Sequence, residues 1–320
     1  MKYILGAYST APVTAEWNPE LQAQYFAQLK TLPNLQGLEH PFAGSLHPYD
    51  EQWFLQNIDP QWDFVFTCIP GVMDHIGRDP EFGLAADDER GRQAALEFCE
   101  QARLAVLQLN RHVGRQAVKF VQLHSSPNRA KASSSSARAL QASLETLHSR
   151  DWDGAGLLIE HCDTYIEGQA PAKGFLTIEE EIAALTAANE STGGSMGICI
   201  NWGRSALETR NAQGPLDHIA KARSADLLRG LMFSGASPAD SPYGAWKDSH
   251  MPPAQAFGIK HFASDSLLTA DEMRKCLHAS DYKNLDYLGV KIAVRPAESG
   301  VAERVAFNRD ALAILDQLTA

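Results

Sequence analysis

The sequence predicts an α/β protein, a single-domain (β/α)8 TIM barrel spanning residues 1–320, and three observations lead there. Short apolar runs recur eight times along the chain. Each run is nearly continuous in hydrophobicity, as strands buried on both faces should be. Polar breaks and longer helical patterns separate them, so strand and helix alternate throughout. No Gly-rich phosphate fingerprint follows the first run, which argues against a doubly wound open sheet and against a nucleotide cofactor.

The runs are YILGAYS (3–9), LQGLEH (35–40), DFVFTCI (63–69), VKFVQLH (118–124), GLLIEH (156–161), GICINW (197–202), LRGLMFS (228–234) and LGVKIAV (288–294). A helical pattern, PELQAQYFAQLKTL, follows the first run. DERGRQAALEFCEQARLAVLQLNRHV follows the third, ARALQASLETLHSR the fourth and TIEEEIAALTAANEST the fifth. The serine run 133–136 should begin the helix after the fourth strand. Thr177 with Glu180 forms a capping-box pattern, and Thr269 with Glu272 repeats it. Two segments read as long loops after strands three and seven, about residues 70–88 and 235–266. In a barrel both sit on the C-terminal face, where long structured loops are usually functional.

Composition narrows the function. The chain has 320 residues, 44% of them hydrophobic, and a formal net charge of -11. An acidic chain without a Lys/Arg block is a poor partner for nucleic acid or an anionic membrane. Its five cysteines are widely spaced, with no CxxC. Several lie in apolar runs, where cysteine behaves as a small hydrophobe. The start is polar too soon for a signal peptide, and no apolar run reaches membrane-spanning length. A soluble cytoplasmic protein is expected, with a homo-oligomer left open.

A barrel brings all eight strand ends to one rim. Those ends carry Tyr8 and Ser9, Glu39 and His40, Thr67, His124, Glu160 and His161, Asn201, Ser234 and Arg295. The loop after strand six adds Arg204, and the loop after strand seven adds Lys247, Asp248 and His250. Acids, bases and donors around one pocket are what proton transfer on a polyol or carbonyl compound requires. Glu160 is the sharpest signal, because a carboxylate directly after GLLI must be paired, metal-bound or protonated. His124 reads as a catalyst or as a hydrogen-bonded structural residue. His161 points the other way from Glu160, so a structural role is expected. Asp248 and His250, two apart in an extended loop, project to one side, where they either share a metal or cap nearby backbone. Glu39, Asn201, Arg204, Lys247 and Arg295 are candidate substrate contacts, the cations for an anionic substituent.

Glu160 in LLIEHCD, the CIN of GICINWGRS and the DSH loop resemble the xylose-isomerase-like barrels. That superfamily includes sugar isomerases, ketose epimerases and endonuclease IV-type repair enzymes. The whole chain, and ILGAYSTAP in particular, resembles the YihM-like group, described as sugar or sugar-phosphate isomerases. The resemblance implies that Glu160 is a metal-binding carboxylate and proton-transfer base. It implies that Asp248 and His250 match a metal-binding DxH pair and that His124 matches a strand-end His. Asn201 falls where the superfamily has a metal-binding Asp, Ser234 where many members have His, and Arg295 near a final Glu. The expectation is an isomerase or epimerase acting on a sugar-like small molecule. A divalent ion, Mn²⁺ or Zn²⁺, would be held by Glu160, Asp248 and His250. The alternatives are a lyase or hydrolase using the same pocket and a metal-free metabolite-binding barrel. A DNA repair role would need a fuller metal cluster and a basic surface.

Overall fold

The computed structural model describes residues 1–320. Eight parallel strands close in chain order. They are β1 (Tyr3–Leu5), β2 (Leu35–Pro41), β3 (Asp63–Thr67), β4 (Val118–Leu123), β5 (Gly156–His161), β6 (Gly197–Asn201), β7 (Leu228–Phe233) and β8 (Tyr287–Val290). Pairing of Ile4 with Gly289 and of Leu5 with Val290 seals the cylinder. Outside lie α1 (Pro19–Leu29), α2 (Glu51–Asn57), α3 (Ile69–Arg78), α4 (Glu89–Val113), α5 (Ala137–His148), α6 (Ile178–Thr192), α7 (Trp202–Thr209), α8 (Gly214–Ser224), α9 (Ala270–Ser280) and α10 (Val301–Thr319). The expected (β/α)8 barrel is therefore present. No helix is long and apolar enough to cross a membrane.

Local sequence accounts for most of the helix starts. Asn18, Asp50, Asp88, Ser136, Thr177 and Thr269 each accept a hydrogen bond from a backbone N–H in the first turn. Ser136 ends the serine run, and the Thr177–Glu180 box is reciprocal. At residues 270–280 the cap is one-sided, with Thr269 accepting from the Glu272 N–H at 3.2 Å. The segment after β3, read as a loop, begins instead with α3, whose first turn carries Pro70 at a position that needs no N–H. The segment after β7 is free of helix up to α9. It is tied to the barrel by the Gly235 N–H on the Met251 carbonyl and the Ala293 N–H on the His250 carbonyl, both 2.6 Å. His250 has a left-handed backbone, φ 52°. A non-glycine residue takes that conformation only when its surroundings impose it.

Strand alternation then decides which side chains reach the interior. Ile4, Val65, Leu158, Cys199, Met232 and Tyr287 pack together as one buried apolar cluster. Two residues further along β3, β5, β6 and β7, the same face carries Thr67, Glu160, Asn201 and Ser234. Four residues beyond Tyr287 it carries Lys291. All five are buried. The apolar plug thus gives way to a polar layer near the C-terminal rim.

Candidate active site at the C-terminal rim

Glu160 is the hub of that layer. Its Oε2 lies 2.8 Å from an Arg204 guanidinium nitrogen and 3.0 Å from His124 Nε2, and it accepts from the Thr67 hydroxyl at 3.2 Å. Its Oε1 faces Lys291 Nζ at 3.9 Å and the Asn201 amide at 3.5 Å. Burial pushes the Glu160 carboxyl up. Arg204, Lys291 and His124 outweigh burial and hold it well below the usual carboxylate range. Burial lowers His124 to about 4, although its hydrogen bond to Glu160 opposes this, so the ring is neutral. It donates from Nε2 and leaves Nδ1 without a partner.

Lys291 joins Glu160 to a second acid. Its ammonium is 2.8 Å from Glu39 Oε2, and neither side chain is exposed. Neither carboxylate oxygen of Glu39 makes an angle-satisfying hydrogen bond. Burial raises the Glu39 carboxyl, the nearby Glu160 charge adds to this, and Lys291 opposes it. Two carboxylates in one centre are thus driven in opposite directions, which is how environment separates an acid–base group from a fixed charge.

Arg204 links the centre to the loop after β7. It sits in the first turn of α7, whose N-cap is Asn201. Asn201 accepts from the Gly203 N–H at 3.2 Å and the Ser234 hydroxyl at 2.7 Å. Gly203 is needed there, because a Cβ would stand 2.8 Å from the Ser234 carbonyl oxygen. The Arg204 guanidinium also lies 3.6 Å from Asp248, which pairs with Lys173 at 3.0 Å. His250 Nδ1 is 3.4 Å from Asp248. Burial pulls the His250 ring down to about 3. Burial pushes the Asp248 carboxyl up, but Lys173, His250 and Arg204 together hold it far below its ordinary range.

This geometry sorts the sequence candidates. His124, Glu160, Asn201, Arg204 and Glu39 form one buried centre, and Asp248 and His250 adjoin it. Two candidates fall outside it. Arg295 is exposed, with its guanidinium 5.7 Å from the Tyr243 ring centroid. Lys247 is exposed on the loop. β8 ends four residues before Val294, so the inward rim position is Lys291. His40 faces outward, donating from Nε2 to the Leu46 carbonyl at 2.8 Å and packing on Phe54.

The expected metal set does not fit an ion. Glu160 already neutralises Arg204 and faces Lys291, and Asp248 already neutralises Lys173. Three buried or nearly buried cations share the ground where a dication would bind. The group of metal-ligating side chains brought within 4.8 Å of one another is His161, Glu208 and His218, and it lies on the outer side of the sheet.

A cavity of about 340 Å³ opens beside the centre, between the ends of β1 and β2. Trp17, His47, Tyr49 and Phe54 line it, and Tyr8 and Glu39 form part of its wall. Trp17 and Tyr49 stack at 5.4 Å, 7° from parallel. Glu39 is the one acidic residue on this wall, and its carboxylate oxygens are buried beside Lys291. Sequence reading passed over Trp17, which precedes α1 in a polar stretch, and over Lys291, which is hidden inside LGVKIAV. A lysine in a strand-like apolar run must find a counter-charge, and that signal was available.

Comparison with known proteins agrees with this architecture. A protein of Salmonella typhimurium strain LT2, described as uncharacterized, is 32% identical, over 99% of this chain and 97% of its own. A solved D-psicose 3-epimerase superimposes with a TM-score of 0.56 at 14% identity, over 99% of each chain. A fusion of a xylose isomerase-like TIM barrel with a 4-hydroxyphenylpyruvate dioxygenase gives 0.58 at 13% identity. There, 99% of this chain spans 43% of the fusion's length. At such identities the structural likeness shows a shared fold, the (β/α)8 barrel. Residues 4–307 match the family model described as a domain of unknown function, DUF4862, and the chain belongs to that family.

Proposed function

We propose that the rim is the active site of an isomerase or epimerase acting on a sugar or sugar derivative, with Glu39 as the proton carrier. The observation that supports this most is the placement of Glu39. It is the one acidic residue on the cavity wall, its buried carboxyl is pushed up, and the Lys291 ammonium lies 2.8 Å from it. A base that must take and return a proton works best with a pKa near the working pH. Glu160, held far below that range, serves better as the fixed counter-charge that orients Arg204 and Lys291.

In this reading a substrate stacks its apolar face against Trp17 and Tyr49 and turns a carbonyl toward Lys291. Glu39 removes a proton from the adjacent carbon. The electron pair moves to the carbonyl oxygen, where the ammonium stabilises the enediolate. The proton on Glu39 exchanges with solvent before a proton is returned, either to the neighbouring carbon, with the hydroxyl proton there passing to the former carbonyl oxygen, or to the opposite face of the same carbon, so no redox partner is needed. The likeness of the fold to the D-psicose 3-epimerase and the resemblance to the YihM-like group both support the reaction class. Five buried, unpaired cysteines support a reducing, cytoplasmic setting. A second reading, a barrel that binds a metabolite without turning it over, is favoured by the near-complete burial of the ionic centre.

Hydrogen exchange separates the two. Ketoses, aldoses and their acid and phosphate derivatives are incubated with the protein in D₂O and followed by proton NMR. Loss of a carbon-bound proton signal next to a carbonyl supports the enzyme reading. Binding without exchange across the panel supports the second reading and removes the first.

A further inference from the structure

On the outer side of the sheet, His161 at the end of β5 meets Glu208 of α7 and His218 of α8. His161 Nε2 is 3.3 Å from Glu208 Oε2, and His218 Nε2 is 3.3 Å from Glu208 Oε1. The two rings stand edge to face with centroids 4.7 Å apart. All three residues are buried, and His161 Nε2 has no hydrogen-bond partner of acceptable geometry.

The other ring nitrogens are held from behind. His161 Nδ1 is 2.8 Å from the Glu181 carboxylate, and His218 Nδ1 is 2.9 Å from the Ser205 hydroxyl. Glu181 in turn accepts from Ser125. Burial lowers the His161 ring, but Glu181 and Glu208 outweigh it and raise it to about 10, so an ion bound at Nε2 would displace a proton there and leave the Nδ1 proton on Glu181. Imidazoles oriented in this way by a carboxylate or hydroxyl are the usual support of a metal site.

We propose that His161 Nε2, His218 Nε2 and the Glu208 carboxylate bind one zinc ion in the seam between β5, α7 and α8. The separations match the chemistry. Ligands at about 2.0–2.1 Å from a tetrahedral zinc stand roughly 3.3–3.4 Å from one another. Each Nε2 stands at that spacing from one Glu208 oxygen, His161 from Oε2 and His218 from Oε1, and the spacing is long for a hydrogen bond. The charge also matches, because a dication neutralises the two buried carboxylates Glu181 and Glu208. Two nitrogens and a carboxylate suit zinc better than calcium or magnesium. Burial makes the site structural, with the fourth position filled by the second Glu208 oxygen or a water. Its role is to fasten the turn of α7 that carries Arg204 against the strand that carries Glu160. The site is separate from the rim, and the proposal does not depend on the reaction assigned there.

The test is metal content and zinc titration of the full chain. Wild type, Glu208→Gln and His250→Ala are freed of metal with a chelator, titrated with Zn²⁺ by calorimetry and analysed by mass spectrometry. Wild type and His250→Ala are expected to bind about one equivalent. Glu208→Gln is expected to bind at least about tenfold more weakly. A Co²⁺ titration of wild type, which needs no variant to fold, is expected to give the visible bands of a four-coordinate ion. Absence of stoichiometric binding by wild type overturns the proposal. So does zinc retained at full affinity in Glu208→Gln, or zinc lost in His250→Ala, which would place the ion at the rim.

Discussion

Replacing Lys291 by methionine keeps the volume of the side chain and removes its charge. Lys291 Nζ stands 2.8 Å from Glu39 and 3.9 Å from Glu160, with all three side chains unexposed. At an effective dielectric of about 20 these pairs are worth roughly 6 and 4 kcal/mol of gross attraction. Desolvation of the ammonium offsets much of that. Removing one partner of a buried pair typically leaves a net loss of about 3–5 kcal/mol. For a chain of this length that corresponds to about 4–7 °C in Tm. The loss should depend on pH. Unfolded glutamates titrate near about 4.3. In the folded variant Glu39 and Glu160 both lie higher than in wild type, and for Glu39, already raised by burial, the unfolded state gives up its proton first as pH rises. The unfolded titration is common to both proteins, so the deficit grows as pH rises from the already raised folded value of Glu39 in wild type toward the higher value it takes without Lys291, by up to about 1.4 kcal/mol per pH unit. Thermal melts followed by circular dichroism at pH 5 and pH 8 measure it. A deficit under about 2 °C that is the same at both pH values would refute the claim that Lys291 holds the two acids in their places.

Four further outcomes follow from named contacts. Lys173→Ala takes the nearest counter-charge from Asp248 and should weaken the loop after β7 by about 1–3 kcal/mol, seen as faster limited proteolysis within residues 235–266. In wild type the depressed Asp248 carboxyl stabilises the fold above its unfolded value of about 3.9, so protection of this loop should hold at pH 5 and fade as pH drops below about 4. Trp17→Ala removes one wall of the cavity and should raise KM about tenfold with kcat within about twofold, measured by steady-state kinetics on whichever sugar undergoes exchange. Gly203→Ala pushes a methyl group against the Ser234 carbonyl and should cost about 1–3 kcal/mol, read as a lower Tm.

The fold was legible because eight buried runs recurred, and the first, third, fourth and fifth were followed by a helical pattern of their own. The inward rim positions were legible too where a run ended in a polar residue, as at Glu160 and Asn201. Lys291 was not, because its run continues through Ile292, Ala293 and Val294, and the strand end was read four residues late at Arg295. The outward direction of His161 followed from its alternation with Glu160. Its partners did not, since Glu181, Glu208 and His218 come from three helices and meet only when the barrel closes. The cavity was missed for the same reason: Trp17, His47 and Tyr49 sit in connections with no periodic signal. The length of α3 was missed because Pro70 and Gly71 read as loop residues, although proline in a first turn is compatible with a helix start.

The account turns on Glu39 as the proton carrier, and Glu39→Gln tests that most directly. The substitution keeps the shape of the side chain and removes its ability to accept a proton. Exchange of the carbon-bound proton into D₂O is measured by NMR for wild type and variant, on the sugar that wild type exchanges fastest. The predicted result is a loss of about a hundred- to ten-thousand-fold in the variant, with binding of the same sugar retained. Exchange within about twofold of wild type would contradict the assignment and return the role of base to another group in the centre.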